Sequence, residues 1–508
     1  MYSKLMKRSV SLVICAAILL ASTVCFNFTA FAAEDDSEEF PQAAKISVNT
    51  EFGNGITLLK EDGYVNAQIE ITDTDGSVLS DSVQFKVRGN TTGLSWMQKK
   101  PFTFKFKTKK NVLGMGSGKK WVLIANLFDP TLLRNYVAFD TAQKMGIEYT
   151  SNQRFVELWL DGSYRGCYTL YEPVQQGNDR VDIDIKSNGG KKDFLLEFEN
   201  SRVEDDVTYI KCHGVRMIVS EPEEPNDEQL EYIESTLNDI FETMKNGTRE
   251  EIEQKADIDS FAKFYVFNEF IKPFDFDSTS VFFYYKDGKL YAGPPWDYDV
   301  SACNSQDTQR SIRSNAIEGL FANDKNIYQF MCRHNWFYVD AERVYSENKK
   351  YIQDVYAEGG LMDRLRQRYG DIFDKNFGEA GWDITKAWIN YQRRAAPTYG
   401  ENFDFLKDWY KQRNEWLDGY FSDSVENVLI GDADGDGDIN IMDATLVQEL
   451  LANLVEDDGR IALRVCDTDA QLTIDDATNI QFYLAEIKTD ADIGKAERRF
   501  MKDFINQK

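Results

Sequence analysis

Histidine is nearly absent from this 508-residue chain: His213 and His334 are the only two, far apart in sequence. Ser-His-Asp relays and His-rich metal centres are therefore excluded as the main chemistry, and any catalysis must run on carboxylates, Lys and Arg. Cysteine is scarce as well. Cys15 and Cys25 lie near the N-terminus, and Cys167, Cys212, Cys303, Cys332 and Cys466 are scattered without C-x-x-C spacing. That pattern excludes a disulfide scaffold or a structural zinc site and leaves buried free thiols. Positive charge is in deficit, with 58 Lys/Arg against 85 Asp/Glu and a formal charge of −27, which argues against general binding to nucleic acid or an anionic membrane. Beyond the N-terminal segment no run approaches the ~18 apolar residues of a membrane-spanning helix, so the mature chain is expected to lack one. Disorder is excluded by what is present: 42% hydrophobic residues with 13% aromatics supply a sizeable core.

The first 32 residues have the layout of an export signal. Lys4, Lys7 and Arg8 precede an apolar run from Val10 to Val24, and Ala30-Phe31-Ala32 offers a cleavage site. A polar, acidic linker follows at 33–43. From about 44 to 220 strand signals dominate, as in Val83-Gln84-Phe85-Lys86-Val87, Phe102-Thr103-Phe104-Lys105-Phe106 and Phe155-Val156-Glu157-Leu158-Trp159-Leu160. Asp161-Gly162 reads as a type I′ hairpin turn. One helix interrupts the strands, opened by Asp129-Pro130 and ended by Gly146. The pattern turns helical over 226–272, forms a hairpin around Asp287-Gly288 (Val281–Tyr285 with Lys289–Ala292), and returns to aromatic-rich helices over 325–422. Strands first and helices later predict an α+β, two-lobed domain over 44–422.

The acid concentrates near the C-terminus: residues 430–486 hold 14 Asp/Glu against two Arg, a net of −12. Asp432, Asp434, Asp436, Asp438, Asn440 and Asp443 fall at positions 1, 3, 5, 7, 9 and 12 of an EF-hand-like loop, with Gly437 at position 6 for the sharp turn. A second copy follows 33 residues later, with Asp467, Asp469, Thr473 and Asp476 at positions 3, 5, 9 and 12, Val465 at position 1 and Ala470 at position 6. Two loop-helix units of this form resemble the type I dockerin, a small all-α calcium-binding module. The resemblance implies Ca²⁺ as cofactor, a cohesin of a scaffoldin as partner, and a secreted or cell-surface cellulosome as location. The missing first ligand sets the second loop apart as one expected to bind Ca²⁺ weakly or not at all. Residues 423–429 are expected as linker and 487–508 as a tail.

Several stretches of the larger domain look like the spore-coat CotH kinase family. They are Val87-Arg88-Gly89-Asn90-Thr91, Lys99-Lys100-Pro101-Phe102, Trp121 to Asn126, Leu132-Leu133-Arg134-Asn135, Phe155-Val156-Glu157-Leu158, Asp193-Phe194-Leu195-Leu196-Glu197 and Pro294-Pro295-Trp296-Asp297-Tyr298-Asp299. The closing helix with Arg413 also fits. The resemblance implies an atypical protein-kinase-like fold that moves the γ-phosphoryl of ATP to protein serine with Mg²⁺ or Mn²⁺. Such chemistry needs cations for the phosphates, a carboxylate for the acceptor hydroxyl and carboxylates for the metal. A kinase places its catalytic Asp five residues before a metal-binding Asn, then a hairpin, then a metal-binding Asp. Here Asp275 is followed at +5 by Ser280, then the hairpin, then Asp297, with Asp299 beside it. Asp277 is the competing catalytic choice, although its +5 residue is Phe282. Arg88 and Lys100, with Lys105 behind them, are the phosphate candidates in and after a turn that has only Gly89 and Gly93. For Arg134, coupling to nucleotide and structural pairing are both open. Tyr168 to Glu172, before Pro173, is a candidate adenine-side strand. Two other classes stay in view: a non-catalytic scaffold component, to which Ser280 in place of Asn points, and a carbohydrate-active module, since paired carboxylates and aromatics also serve glycosidases.

Overall fold

Alternating burial along successive strands, with every second side chain inward, builds the first half of the protein. The computed structural model describes residues 40–201, 207–306, 308, 312–389, 392–456, 459–466, 472–489 and 491–502. The expected export signal at 1–32 and the second-loop residues Asp467 and Asp469 lie outside them. Contacts divide the chain into residues 1–42 and a unit of residues 43–508, to which all the elements belong.

Seven strands close a barrel: β1 (Ala44–Thr50), β2 (Val65–Thr72), β3 (Val78–Val87), β4 (Phe102–Asn111), β5 (Ser117–Ile124), β6 (Gln153–Leu160) and β7 (Ser163–Tyr171). Their order is β1-β2-β3-β4-β5-β7-β6, and the parallel pairing of β1 with β6, Ile46 opposite Leu158, shuts it. Side chains including Ile46, Ile69, Phe85, Phe104, Trp121, Leu158 and Leu170 are buried in its core cluster, each worth roughly 1.5–3 kcal/mol of transfer free energy. Asp161 and Gly162, at φ +48° and +79°, turn β6 into β7, as the sequence predicts.

The helix between β5 and β6, α1 (Arg134–Lys144), starts later than the sequence suggested. Leu132 takes a left-handed φ of +62°, and the Asp129 carboxylate accepts the Thr131 and Arg134 backbone N–H groups at 2.9 and 2.7 Å. Asp129 thus caps the helix from outside it.

A second sheet mixes the two halves of the chain. Strands β8 (Phe194–Phe198), β9 (Tyr209–Cys212) and β10 (Val215–Glu221) precede three helices, α2 (Asp227–Asn246), α3 (Arg249–Lys255) and α4 (Ile258–Ile271). Strands β11 (Val281–Lys286) and β12 (Lys289–Ala292) follow them, and the order is β12-β11-β8-β10-β9. Because β11 pairs with β8, Phe282 opposite Glu197, the turn leaving α4 is carried to the end of β8. Helix α4 is buried on nearly every face, the pattern of a central helix. Helices α5 (Asn335–Tyr356), α6 (Leu361–Phe377) and α7 (Tyr399–Phe421) complete this mixed α and β body.

The C-terminal region is fastened to that body. Residues 423–429 and 487–508, expected as linker and tail, contribute β13 (Val425–Leu429) and β14 (Ala496–Phe500), which pair antiparallel. The Asn335 side chain donates to the Phe500 carbonyl and accepts its N–H, both at 2.8 Å. Between the two strands, α8 (Ile441–Leu451), α9 (Ile461–Val465) and α10 (Ile474–Leu484) share a small core of Ala444, Val447, Ala477 and Ile480. The 33-residue repeat thus appears as equivalent core positions. Among the described residues no helix is long and apolar enough to cross a membrane. Cys167, Cys212, Cys332 and Cys466 are buried and Cys303 half-buried, all as free thiols.

Candidate functional site

A cleft of about 580 Å³ opens between the barrel wall at β3 and β5 and the segments that follow α4 and β12. Four of the sequence-predicted residues line it: Arg88, Asp275, Asp297 and Asp299, together with Ser280. Each arrives by a different route. Arg88 follows β3 into a turn in which Gly89 sits at φ +84°. A Cβ on Gly93 would meet the Gly89 and Arg88 carbonyl oxygens at 2.4 and 2.5 Å, so the turn's tightness requires both glycines. Asp275 lies in the short 3₁₀ turn Phe274–Asp277 after α4. Asp297 and Ser280 hold left-handed φ values of +65° and +63°, a costly conformation for non-glycine residues that is often kept at functional sites.

The 297–304 segment is anchored at many points. Tyr298 N–H donates to Asn135 Oδ1 at 2.7 Å, and Asn135 donates to Asn126 Oδ1 at 3.2 Å. Asn304 Nδ2 holds the Asp299 and Phe128 carbonyls at 2.6 and 2.8 Å. Arg134, buried in an ion pair with Asp129 at 2.6 Å, donates to the Ser301 and Ala302 carbonyls at 3.0 and 3.4 Å. Of the two roles open for Arg134, structural pairing is therefore the one seen.

Electrostatics in the cleft are strongly biased. Burial, with Asp297, Asp129 and Asp275 adding repulsion against Arg134's attraction, holds the Asp299 carboxyl well above the usual carboxylate range. The Arg88 guanidinium, 5.3 Å over the Trp296 ring, is lowered by burial and steadied by Asp297 and Glu197.

Three further predicted residues lie elsewhere. Asp277 points away from the cleft and pairs with Lys325 at 3.3 Å. Lys100 is buried and donates to the Leu58 carbonyl at 2.6 Å, so its ammonium is already held by the protein. Lys105 is exposed on β4 and lines a separate groove. In their place the cleft holds Lys86 and Lys120, and the acids Glu197 and Glu199. Glu199 accepts from Thr279 Oγ1 at 2.7 Å and from Ser201 N–H at 2.7 Å, joining the end of β8 to the Asp275–Ser280 turn. Lys86 had a sequence signal, since it shares a strand face with Arg88. Pro173 and Val174, after β7, also line the cleft.

The C-terminal loop is a second acidic site. Asp432, Asp434 and Asp436 each bring one carboxylate oxygen to within 4.8 Å of the others. Asp432 accepts the N–H groups of Gly435, Asp436 and Gly437 at 2.8–3.1 Å, and Asp443 accepts those of Ala433, Asp434 and Asn440. Slight burial and then Asp443, Asp436 and Asp432 raise the Asp434 carboxyl. Gly437 sits at φ +95°, as position 6 requires. Asn440 caps α8 through Met442 N–H at 2.8 Å, and Asp438 is exposed. In the second loop Thr473 N–H donates to Asp476 at 2.7 Å at the start of α10.

Among protein families, the one described as CotH kinase protein matches residues 85–417. No curated protein matches the chain.

Proposed function

The chain belongs to the CotH kinase protein family, and from that membership we propose that its cleft transfers the γ-phosphoryl group of ATP to a protein serine. The observation that carries this reading is the meeting of Arg88, Asp275, Asp297 and Asp299 in one cleft. The barrel wall on one side and the α4-derived segments on the other support a two-lobed, kinase-like description. The acceptor hydroxyl oxygen forms the new bond to the γ-phosphorus, the bond to the β,γ-bridging oxygen breaks, and ADP departs. Asp275 orients the hydroxyl and receives its proton. Arg88, Lys86 and Lys120 neutralise phosphate oxygens, and the Gly89–Gly93 turn closes over them. Pro173 and Val174 border the adenine side.

Asp297 and Asp299 suit Mg²⁺ or Mn²⁺. A buried carboxyl held up by a neighbouring carboxylate is a place where a divalent cation replaces a proton, and Mg²⁺ commonly takes one or two carboxylates beside phosphate oxygens. When bound, the metal supplies charge neutralisation at the β- and γ-phosphates. Ser280 offers a hydroxyl where a kinase carries Asn, and this favours a second reading in which the domain is a non-catalytic scaffold component. Saturating Mg·ATP separates the two. Transfer predicts label on the protein or a co-secreted acceptor, with stabilisation of about 2.7 kcal/mol at 100 times Kd; a scaffold predicts neither.

We further infer that residues 430–486 act as a calcium-dependent dockerin on an exported protein, joined to a cohesin. The Asp432–Asp434–Asp436 cluster supports this. Chelating Ca²⁺, or the Asp436→Ala substitution, is expected to remove cohesin binding in a pull-down against a cohesin panel. Binding that survives both would sink the assignment.

A further inference from the structure

One side of the barrel reverses the charge of the rest of the chain. Residues 82–128 hold ten Lys/Arg and no Asp/Glu, in a protein of net charge −27. Strand geometry sorts these cations. Lys99 is buried and donates to the Ala125 and Cys167 carbonyls at 2.8 and 2.7 Å, and Lys110 pairs with Asp81 at 2.9 Å. Lys105, Lys107, Lys109 and Lys119 are exposed. Among the described residues these four enter no ion pair, although the protein has carboxylates in excess.

The exposed row leads to the cleft. Lys105 stands opposite Lys120 in the β4–β5 register, and Lys120 and Lys86 form part of the cleft wall. The Lys86 ammonium is held below its ordinary value by burial and by Lys120, Lys60, Arg88 and Lys105 around it, so the positive field is continuous across the lip. Along the same face runs an open groove of about 910 Å³. Lys105, Lys107 and Lys119, from β4 and β5, line it together with Asn66, Gln68 and Gln84, from β2 and β3. The amides are spaced along β2 and β3, with Gln84 Nε2 donating to Asn66 Oδ1 at 2.6 Å. Glu51, the acid in the groove, is engaged by Asn66 at 2.9 Å.

We propose that this groove binds an acidic peptide segment, the flank of the serine that enters the cleft. Lysines without carboxylate partners supply complementary charge, and side-chain amides in the same groove suit the polar backbone of an extended peptide. Contiguity with a cleft that takes a protein hydroxyl favours a peptide over another polyanion. The catalytic part of the statement rests on the kinase reading; the binding part does not.

The test uses the full chain and a fluorescent, glutamate-rich peptide containing one serine, followed by anisotropy without ATP. Lys105→Ser/Lys107→Ser/Lys119→Ser alters only exposed side chains. It is expected to weaken peptide binding roughly five- to tenfold, the sum of three surface charge contacts. Added salt should shrink the difference. In transfer assays KM for this peptide should rise by the same factor while kcat stays. Lysine-dependent binding without transfer would keep the surface and overturn the kinase reading. Equal binding by wild type and variant, absence of binding, or preference for polygalacturonate or single-stranded DNA over the acidic peptide would overturn the proposal.

Discussion

Asp297→Asn is expected to lower phosphoryl transfer roughly 100- to 1000-fold, the cost typical of losing one preorganised electrostatic partner of the reacting group, while the protein remains folded. Asn is the informative replacement because Asp297 holds φ +65°, a conformation that Asn and Asp accept and Ala resists. The substitution removes one carboxylate from the pair and leaves the anchors of the 297–304 segment, Tyr298 N–H to Asn135 and Asn304 to the Asp299 carbonyl, in place. Relief of Asp299 from its charged neighbour lowers that carboxyl toward its ordinary range, so melting temperature should not fall. Asp277→Asn is the control. Its carboxylate faces Lys325 outside the cleft, and transfer should stay near the wild-type rate. Steady-state phosphorylation with both variants decides the matter: loss in Asp277→Asn with retention in Asp297→Asn would reverse the site.

Local chemistry was legible in the sequence and non-local pairing was not. The Asp161-Gly162 and Asp287-Gly288 hairpins each depend on residues within a dozen positions, and both formed where expected. The barrel's closure depends on β1 lying parallel to β6, and the second sheet on β11 entering beside β8. Neither pairing leaves a mark in a short window. Glu197 and Glu199 were consequently missed, although they sit at the end of a strand whose other members are apolar. Asp275 and Asp277 were hard to separate for a different reason: in a 3₁₀ turn, residues two apart point roughly 120° from each other, so one reaches the cleft and the other Lys325. Lys100 was misplaced because its acceptor, the Leu58 carbonyl, lies 42 residues away.

The largest stability effect is expected at Arg413 and Glu269, an ion pair of 2.9 Å with both side chains fully buried. Arg413 also donates to the Glu269 carbonyl at 2.9 Å and to the Ile317 and Gly319 carbonyls at 2.6 and 3.0 Å. Glu269 in turn accepts the Phe321 and Ala322 N–H groups at 2.7–2.8 Å. Breaking such a pair from one side typically costs about 3–5 kcal/mol, because the remaining charge is buried without its partner. The two halves should not be equal. Lys272 is close by, with Nζ on the Ala316, Glu318 and Gly319 carbonyls, and burial followed by Arg413's repulsion lowers it to about 6. Arg413→Ala removes that repulsion and leaves Lys272 as a cation for Glu269. Glu269→Ala leaves the buried Arg413 guanidinium with no anion, beside a Lys272 amine that offers it none, and should be the more damaging. Glu269→Gln/Arg413→Met, which discards both charges, should recover much of the loss. Urea unfolding of the three proteins measures each cost; Glu269→Ala proving the milder single variant would refute this account of the network. Transfer should fall with stability in both single variants, since Lys272 caps the end of α4 and Asp275 stands in the turn that follows.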